Sequence, residues 1–193
     1  MKEKIQFFQA FLKHPLTVGA IAPSSPDLAK AMMAGVKASE DNIVIELGVG
    51  TGAITKYIEQ GIPDGKSYLG IEVDRELVTS LHEKFTRLNI VCGSAAETYA
   101  IHKESGLGNA GYLLSCLPFV TLPADVGKRV LGEIEKFMNE GCTFRTFQYA
   151  HGYYTPAAIK LREFMRERYG KSKRSKLIVK NVPPAYTLTW STA

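Results

Sequence analysis

With 193 residues, of which 45% are hydrophobic and 22% charged, the chain has the composition of an ordinary globular protein with one sizeable core. This composition argues against a disordered protein. No apolar run approaches the ~20 residues that span a bilayer, which argues against a transmembrane protein. No signal-peptide pattern opens the sequence, so we expect a single cytoplasmic domain.

The three cysteines, Cys92, Cys116 and Cys142, are odd in number and have no Cys-x-x-Cys spacing. Each lies in or beside an apolar, strand-like segment. They are therefore predicted to be buried free thiols, and no metal site is predicted.

The chain opens with a segment of helical periodicity, Met1 to Leu16, in which Ile5, Phe8 and Phe11 share one side. Such a helix could lie in a membrane interface with its aromatic side down. Alternatively, it could pack on the core of the domain or over a bound cofactor.

A loop from Thr17 to Ser25 precedes the next helix, whose start is marked by Ser25-Pro26-Asp27. A capping serine, a proline in the first turn and an acid near the helix dipole together favour helix initiation. This helix is expected to run to about Val36.

The most informative stretch is 43–52, Ile-Val-Ile-Glu-Leu-Gly-Val-Gly-Thr-Gly. It predicts a buried strand that breaks into a tight turn before a helix. Glycines let a ligand approach the backbone closely, but Gly48, Gly50 and Gly52 have neither the dinucleotide-binding spacing nor the lysine of a P-loop. Because an acid, Glu46, precedes the turn, we expect a ligand that carries positive charge. The alternative is a turn without a ligand.

The second strand is predicted at Ser67 to Val73 and is followed by a helix over 75–85. An acid at the end of such a strand, about twenty residues after the glycine turn, can accept hydrogen bonds from both ribose hydroxyls. Glu72 is therefore the predicted ribose ligand, and the alternative is that it only caps the loop. Asp74 is predicted to cap the helix.

The remaining elements alternate until the chain reaches two β-rich runs. A short strand over 89–93 leads to Ser94 and Ala95, after which a helix over 96–103 and a surface loop over 104–111 are expected. Strands are then predicted at 112–116 and 142–150, and helices at 123–138 and from the Thr155 cap to Tyr169. The runs 176–182 and 186–190 would form an antiparallel closing pair. The pattern predicts an α/β fold with a seven-stranded, mostly parallel sheet, helices on both faces and an antiparallel last strand.

In an open α/β sheet, ligands bind at the carboxyl ends of the strands. Three stretches should converge there: the glycine turn, Ser115 to Phe119, and Tyr149 to Tyr154. We therefore expect the functional site at this edge of the sheet.

The segment Glu-x-Gly-x-Gly-x-Gly resembles motif I of the class I S-adenosylmethionine methyltransferases, whose cofactor carries an ammonium and a sulfonium. The resemblance implies a Rossmann-like methyltransferase domain that uses S-adenosylmethionine. This resemblance and the residue predictions above together assign cofactor binding to nine residues: Glu46, Gly48, Gly50, Gly52, Glu72, Ser94, Ala95, Ser115 and Leu117.

Several segments together are similar to the bacterial phospholipid N-methyltransferases of the peripheral type. They are Pro-Ser-Ser within Phe11 to Ser25, the glycine turn, Ser115-x-Leu-Pro-Phe-x-x-Leu-Pro123 and Asn181-Val-Pro-Pro-Ala185. The resemblance implies methylation of the amine of phosphatidylethanolamine, up to three times. The chain departs from the family pattern at Gly111, where an Asp often opens the fourth strand, and at Ser94, which replaces an acid that bonds the adenine.

The resemblance implies an in-line displacement in which the amine nitrogen attacks the methyl group. A primary ammonium has a pKa near that of Lys, about 10.4, so it must first lose a proton. His151 is the candidate general base, and Tyr153 and Tyr154 could cradle a methylated ammonium by cation–π contact. Ser115 is placed with them as a catalytic residue. The alternative for His151 is surface packing.

Positive charge is concentrated in the basic stretch Lys160 to Lys180, which holds nine Lys or Arg and two acids. Anionic lipid attracts such residues, so this stretch and the N-terminal helix are expected to hold the protein on an anionic membrane surface. A solvated helix face and a nucleic-acid contact are the alternatives.

Two rival functions follow from the same features. One is an rRNA adenine N6-dimethyltransferase-like enzyme. Against it, Cys116 stands where those enzymes place an Asn or Asp, and a thiol is a poor acceptor; a C-terminal RNA-binding domain is also not evident. The other is a domain that binds the cofactor but serves only to bind membrane or nucleic acid.

Overall fold

The structure is a computed structural model that describes residues 23–192. The predicted amphipathic helix at residues 1–16 lies outside the described residues. The helices are Pro26–Met33 (α1), Thr55–Gly61 (α2), Arg75–Lys84 (α3), Thr98–Ser105 (α4), Ala124–Asn139 (α5) and Pro156–Tyr169 (α6). The strands are Asn42–Leu47 (β1), Tyr68–Glu72 (β2), Asn89–Cys92 (β3), Asn109–Ser115 (β4), Thr143–Tyr149 (β5), Lys173–Arg174 (β6) and Ala185–Trp190 (β7).

The seven strands form one sheet in the order β3-β2-β1-β4-β5-β7-β6. Strands β1 to β5 pair in parallel, whereas β7 is antiparallel to both β5 and β6. The predicted seven-stranded, mostly parallel sheet is therefore confirmed. Because β1 and β4 lie next to each other near the middle, their carboxyl ends meet at the centre of one end of the sheet, which we call the carboxyl end of the sheet.

The sheet is buried on both faces, as expected for parallel strands that carry continuous apolar runs. In β1, Ile43, Val44, Ile45 and Leu47 have no solvent exposure. One hydrophobic core lies between the sheet and helices α4 to α6, and the other between the sheet and helices α1 to α3. No helix in the range 23–192 is long and apolar enough to cross a membrane.

The predicted helix caps are confirmed. The Ser25 hydroxyl accepts a hydrogen bond from the Leu28 N–H at 3.2 Å, and Asp74 caps α3 by accepting from the Glu76 N–H at 2.9 Å. Thr155 caps α6 in the same way. Two predicted boundaries were wrong: α1 ends at Met33, and the helix predicted from residue 96 starts as a 3-10 turn, with α4 beginning at Thr98.

The predicted loop over 104–111 was also wrong, because β4 already begins at Asn109. The pairing of β1 with β4 skips Gly111, which forms a bulge between the pairs that Ala110 and Tyr112 make. A Cβ on Gly111 would collide with the side chain of Asn42. Gly111 therefore lies near the start of β4, away from the carboxyl end of the sheet. Its difference from the family pattern does not remove a carboxylate from that end.

The strand predicted over 176–182 is absent; instead, residues 175–184 form a loop that we call the β7 loop. Only Ile178 makes a bridge, with Ala185. The loop turns at Asn181, whose side chain is buried and donates to the carbonyl of Pro183 at 2.7 Å. The same side chain accepts a hydrogen bond from the Ser25 N–H at 2.9 Å, across 156 residues of sequence.

The prediction that all three cysteines are buried was correct only for Cys142. Cys92 is exposed at the end of β3, and Cys116 is partly exposed just after β4. Short edge and end segments of a strand remain open to solvent, which an apolar sequence does not reveal.

Candidate functional site

The glycine turn joins β1 to α2 and forms the centre of the carboxyl end of the sheet. A Cβ on Gly48 would meet the side chain of Leu117 at 2.7 Å, and one on Gly52 would penetrate the ring of Phe85. Gly50 differs from both, because a Cβ there would have no neighbour within 4 Å, although its φ of +59° favours glycine. Gly48 and Gly52 thus serve close packing, whereas Gly50 borders open space.

Glu72 ends β2 and joins the glycine turn to the start of α3. Its Oε2 accepts a hydrogen bond from the Gly50 N–H at 2.8 Å, and its Oε1 accepts from the Asp74 N–H at 3.0 Å. The residue is 1% exposed, and burial raises the pKa of its carboxyl group. Each oxygen has a second lone pair, so the carboxylate can accept two further hydrogen bonds.

A cavity of about 250 Å³ opens beside Glu72. Of the predicted cofactor-binding residues, Gly48, Glu72, Ser94, Ala95 and Leu117 line it. Most of the other lining residues are apolar, including Ile71, Val73, Leu122, Val126 and Val130. The cavity thus places the buried Glu72 carboxylate beside largely apolar walls, which suits a nucleoside.

Helix α5 contributes residues to this cavity that the sequence reading missed. Asp125 and Arg129 line it, and Arg129 lies 3.6 Å from Glu97 in an ion pair between two exposed side chains. The periodicity of α5 shows which of its sides is apolar. It does not show that the first turns of the helix lie over the ends of β2 and β3.

Ser94 follows β3, where the structure gives it a capping role. Its Oγ accepts a hydrogen bond from the Ala96 N–H at 3.2 Å and so begins the 3-10 turn Ala95–Glu97. The hydroxyl proton of Ser94 is not used by this bond. Ser94 can therefore still donate a hydrogen bond to a nucleobase in the cavity, although its hydroxyl cannot replace a charged carboxylate acceptor.

Glu46 lies beneath the glycine turn and does not line the cavity. It is fully buried, and its Oε2 accepts hydrogen bonds from the hydroxyls of Thr55 at 2.8 Å and Tyr68 at 2.6 Å. The Cys116 thiol lies 3.6 Å from Oε1. Burial raises the pKa of Glu46 to about 7, which the hydrogen bonds only partly oppose. Glu46 therefore does not contact a ligand in the cavity directly, and it can influence one only by supporting the glycine turn.

We expect Glu46→Gln to remove a pH-dependent loss of stability. An unfolded Glu ionises near pH 4.5, while the folded one keeps its proton up to about pH 7, so the free energy of unfolding falls as pH rises between these values. The fall would amount to about 3 kcal/mol. The glutamine oxygen can still accept from Tyr68 and Thr55, so the variant should be more stable than the wild type above pH 7.

Urea unfolding at pH 4, 7 and 8.5 measures this difference. At pH 4 the two proteins should have nearly equal stability, and the gap should open towards pH 8.5. Parallel stability curves across the whole range would contradict a protonated Glu46.

Ser115 is buried at the end of β4. Its Oγ accepts a hydrogen bond from the Leu117 N–H at 3.3 Å, and its carbonyl accepts from the Thr146 hydroxyl at 3.1 Å. Ser115 does not line the cavity; it shapes the turn that places Leu117 against Gly48.

The residues after β5 do not line the cavity either. His151 is exposed in the 3-10 turn Ala150–Gly152, with its ring stacked on Tyr149 at 5.8 Å. The guanidinium carbon of Arg162 lies over the Tyr153 ring, 3.9 Å from its centroid. The ring that was expected to receive an ammonium ion therefore already contacts a cation. Tyr154 is 77% exposed and packs edge-on against Tyr153.

Comparison with known proteins gives sequence and fold relatives. No family model matches the chain. An ornithine lipid N-methyltransferase of Singulisphaera acidiphila is 26% identical over 147 residues, which cover 75% of this chain and 77% of that protein. A ribosomal RNA small subunit methyltransferase of Arabidopsis thaliana is 27% identical over 113 residues, which cover 55% of this chain and 28% of that protein.

Among solved structures, the 1,6-didemethyltoxoflavin-N1-methyltransferase of Burkholderia thailandensis, with bound S-adenosylhomocysteine, superposes with a TM-score of 0.67. The match covers 98% of this chain and 87% of that one at 15% identity. At this identity the likeness shows a shared fold.

Proposed function

We propose that this chain, a class I methyltransferase related to the lipid N-methyltransferases, transfers methyl groups from S-adenosylmethionine to the amine of a lipid headgroup. The proposed acceptor is phosphatidylethanolamine or a related aminolipid. The similarity to an ornithine lipid N-methyltransferase over three quarters of the chain supports a lipid acceptor. The site beside Glu72 supports the cofactor and is the observation on which the proposal mainly rests.

The residues present fit S-adenosylmethionine. Glu72 has lone pairs for the two ribose hydroxyls, and the backbone at Gly50 leaves room for a ligand. The apolar walls of the cavity fit an adenine ring, with Ser94 as a hydrogen-bond donor at its edge. Gly48, Ala95 and Leu117 would complete the contacts, while Glu46 and Ser115 would support the turns from beneath.

When bound, S-adenosylmethionine supplies a methyl group on a positively charged sulfur. The part of the chain is to hold the nucleoside, position the acceptor and exclude water. Strand β4, which Ser115 ends and Leu117 follows, lies between β1 and β5 in the sheet, so we propose that the acceptor approaches from the β5 side. An amine that loses its hydration there also loses its proton more readily.

His151 remains the candidate base for this proton. We expect His151→Asn to lower kcat at neutral pH by about 10- to 100-fold. A change confined to KM would assign His151 to binding or packing. Because His151 is exposed and its ring stacks on Tyr149, the variant should fold normally.

We also propose that the protein acts as a peripheral membrane enzyme at the cytoplasmic face. The basic stretch Lys160 to Lys180 supports an anionic membrane surface as its partner. Residues 1–16, if they form the expected helix, would add a second contact.

A second candidate is methylation of rRNA, which the similarity to the Arabidopsis protein favours. That similarity covers little more than half of this chain. Cys116, which the structure places beside Glu46, offers no amide oxygen to an adenine amine.

Radiolabelled S-adenosylmethionine distinguishes these functions when the protein is given phosphatidylethanolamine vesicles, ornithine lipid vesicles and rRNA in separate reactions. Label in lipid, identified by mass spectrometry, is the expected result. Label only in rRNA would support the second candidate. Cofactor binding by calorimetry without transfer to any acceptor would support a binding domain that lacks catalysis.

A further inference from the structure

A second cleft, separate from the cavity beside Glu72, runs between α6 and the edge strand β6. It has a volume of about 350 Å³ and is lined by Tyr153, Arg162, Arg166, Lys171 and Arg174. Ile159, Glu163 and Ser172 complete the lining. We call it the basic cleft.

Two guanidinium groups in the basic cleft are held in place by aromatic rings. The guanidinium of Arg162 lies over the Tyr153 ring at 3.9 Å and donates hydrogen bonds to Gln148 and to the Tyr153 carbonyl, each at 2.7 Å. Arg174 lies 5.4 Å from the same ring and 4.8 Å from the ring of Tyr186. The two cations are therefore positioned before any ligand arrives, which lowers the entropic cost of binding one.

The four cations of the basic cleft have no carboxylate partner in the part of the chain that the structure describes. Within residues 23–192, none of Arg162, Arg166, Lys171 and Arg174 forms an ion pair, although Glu163 lies among them. By contrast, Arg168 on the same helix pairs with Glu135 at 2.9 Å. Like charges that converge without a counter-ion leave a site that an anion would stabilise.

The neighbouring β7 loop presents apolar side chains to solvent. Val179 and Val182 are 66% and 68% exposed, and Leu177 is 39% exposed. The register of β5 with β7 pairs Tyr149 with Ala185, so this loop emerges at the carboxyl end of the sheet. Its first residue directly follows Arg174, so the apolar loop begins where the lining of the basic cleft ends.

We propose that the basic cleft binds the phosphate of a lipid headgroup at a bilayer surface, while Val179 and Val182 enter the interface. Planar guanidiniums match phosphate oxygens, and apolar side chains beside basic ones favour a membrane over a soluble anion. This phosphate site is distinct from the methyl-transfer site. It rests on the proposed function only in taking lipid as the source of the phosphate.

The test compares three variants in sedimentation with vesicles of phosphatidylcholine and phosphatidylglycerol, without cofactor. Arg166→Gln with Lys171→Gln should lower the partition coefficient by roughly 20- to 30-fold. The matched control, Lys37→Gln with Lys128→Gln, removes the same charge from exposed residues outside both the cleft and the basic stretch and should change it less than about twofold. Val179→Ser with Val182→Ser should also weaken partition.

A titration with inorganic phosphate, followed by the amide NMR signals of residues 162–174, separates the two sources of phosphate. We expect the Val179 and Val182 variant to keep the phosphate-induced shifts of the wild type, and the cleft variant to lose them. Equal loss of vesicle binding in the cleft and control variants would overturn the inference, because it would show diffuse attraction.

Two further results would also overturn it. In the first, inorganic phosphate shifts the NMR signals but the cleft variant binds vesicles like the wild type. In the second, the cleft variant loses binding to single-stranded RNA and keeps binding to vesicles. Methyl transfer to phosphatidylethanolamine in detergent micelles, measured in parallel, tests the proposed function independently. If the wild type binds vesicles through the basic cleft but transfers no methyl group in micelles, the proposed function fails and the phosphate site is retained. Normal transfer in micelles without vesicle binding would retain the proposed function and contradict the phosphate site.

Discussion

Gly50→Leu is expected to abolish the binding of S-adenosylmethionine while the protein stays folded. A side chain at residue 50 would meet no protein atom within 4 Å of its Cβ, so it would stand in the open space above the turn. The Gly50 N–H donates to Glu72 at 2.8 Å, so this space lies beside the carboxylate that is proposed to hold the nucleoside. We expect the Kd to rise by at least about 100-fold, or about 3 kcal/mol, in calorimetric titration.

Gly106→Leu provides the matched control. Gly106 has a φ of +66°, close to that of Gly50, and a Cβ there would also meet nothing within 4 Å. It ends α4, whereas the Gly50 N–H donates to Glu72, which lines the cavity. Both variants should lose about 1 to 2 kcal/mol of stability from backbone strain. Cofactor binding that survives Gly50→Leu, or fails equally in both, would refute the placement of the site.

Glu72→Gln is expected to weaken cofactor binding nearly as much. The carboxylate accepts from the N–H groups of Gly50 and Asp74, and an amide offers only one oxygen for these two donors. One buried N–H then lacks an acceptor, which costs about 1 to 3 kcal/mol of stability. The ribose hydroxyls lose a charged acceptor as well, so a rise in Kd of about 100-fold is expected.

Glu133→Gln is the control for this substitution. Glu133 is also buried, and its carboxylate accepts the Tyr99 N–H at 2.7 Å, but it does not line the cavity. It should lose stability and retain cofactor affinity. Should Glu72→Gln bind the cofactor like the wild type, Glu72 would only be an organiser of the turn.

The sequence predicted those parts of the fold and site that depend on local patterns. The apolar run before Gly48 identified the central strand, and Glu72 lies on the cavity because its position follows from the order of strand, turn, helix and strand. Asp74 and Thr155 cap helices, as residues of their type do immediately before a helix.

What the sequence did not predict depends on side-chain partners from distant segments. Glu46 looked available to a cationic ligand, but Tyr68 and Thr55 enclose it. Tyr153 looked free for an ammonium ion until α6 placed Arg162 on its ring. The β7 loop has the β-branched residues of a strand, yet Asn181 turns it by bonding to Ser25 and Pro183.

The hydrogen bond between Ser25 and Asn181 also bears on the order in which the chain folds. It joins residues 156 positions apart, and closing so long a segment costs chain entropy. Leu28 and Met32 share a buried cluster with Val44 and Ile58, which come from nearby segments of the chain. We therefore expect α1 to pack early and its bond to Asn181 to form late, after β5 and β7 have paired. A nascent polypeptide that has not yet released β7 would hold a first helix that is packed on the sheet but not yet joined to the β7 loop.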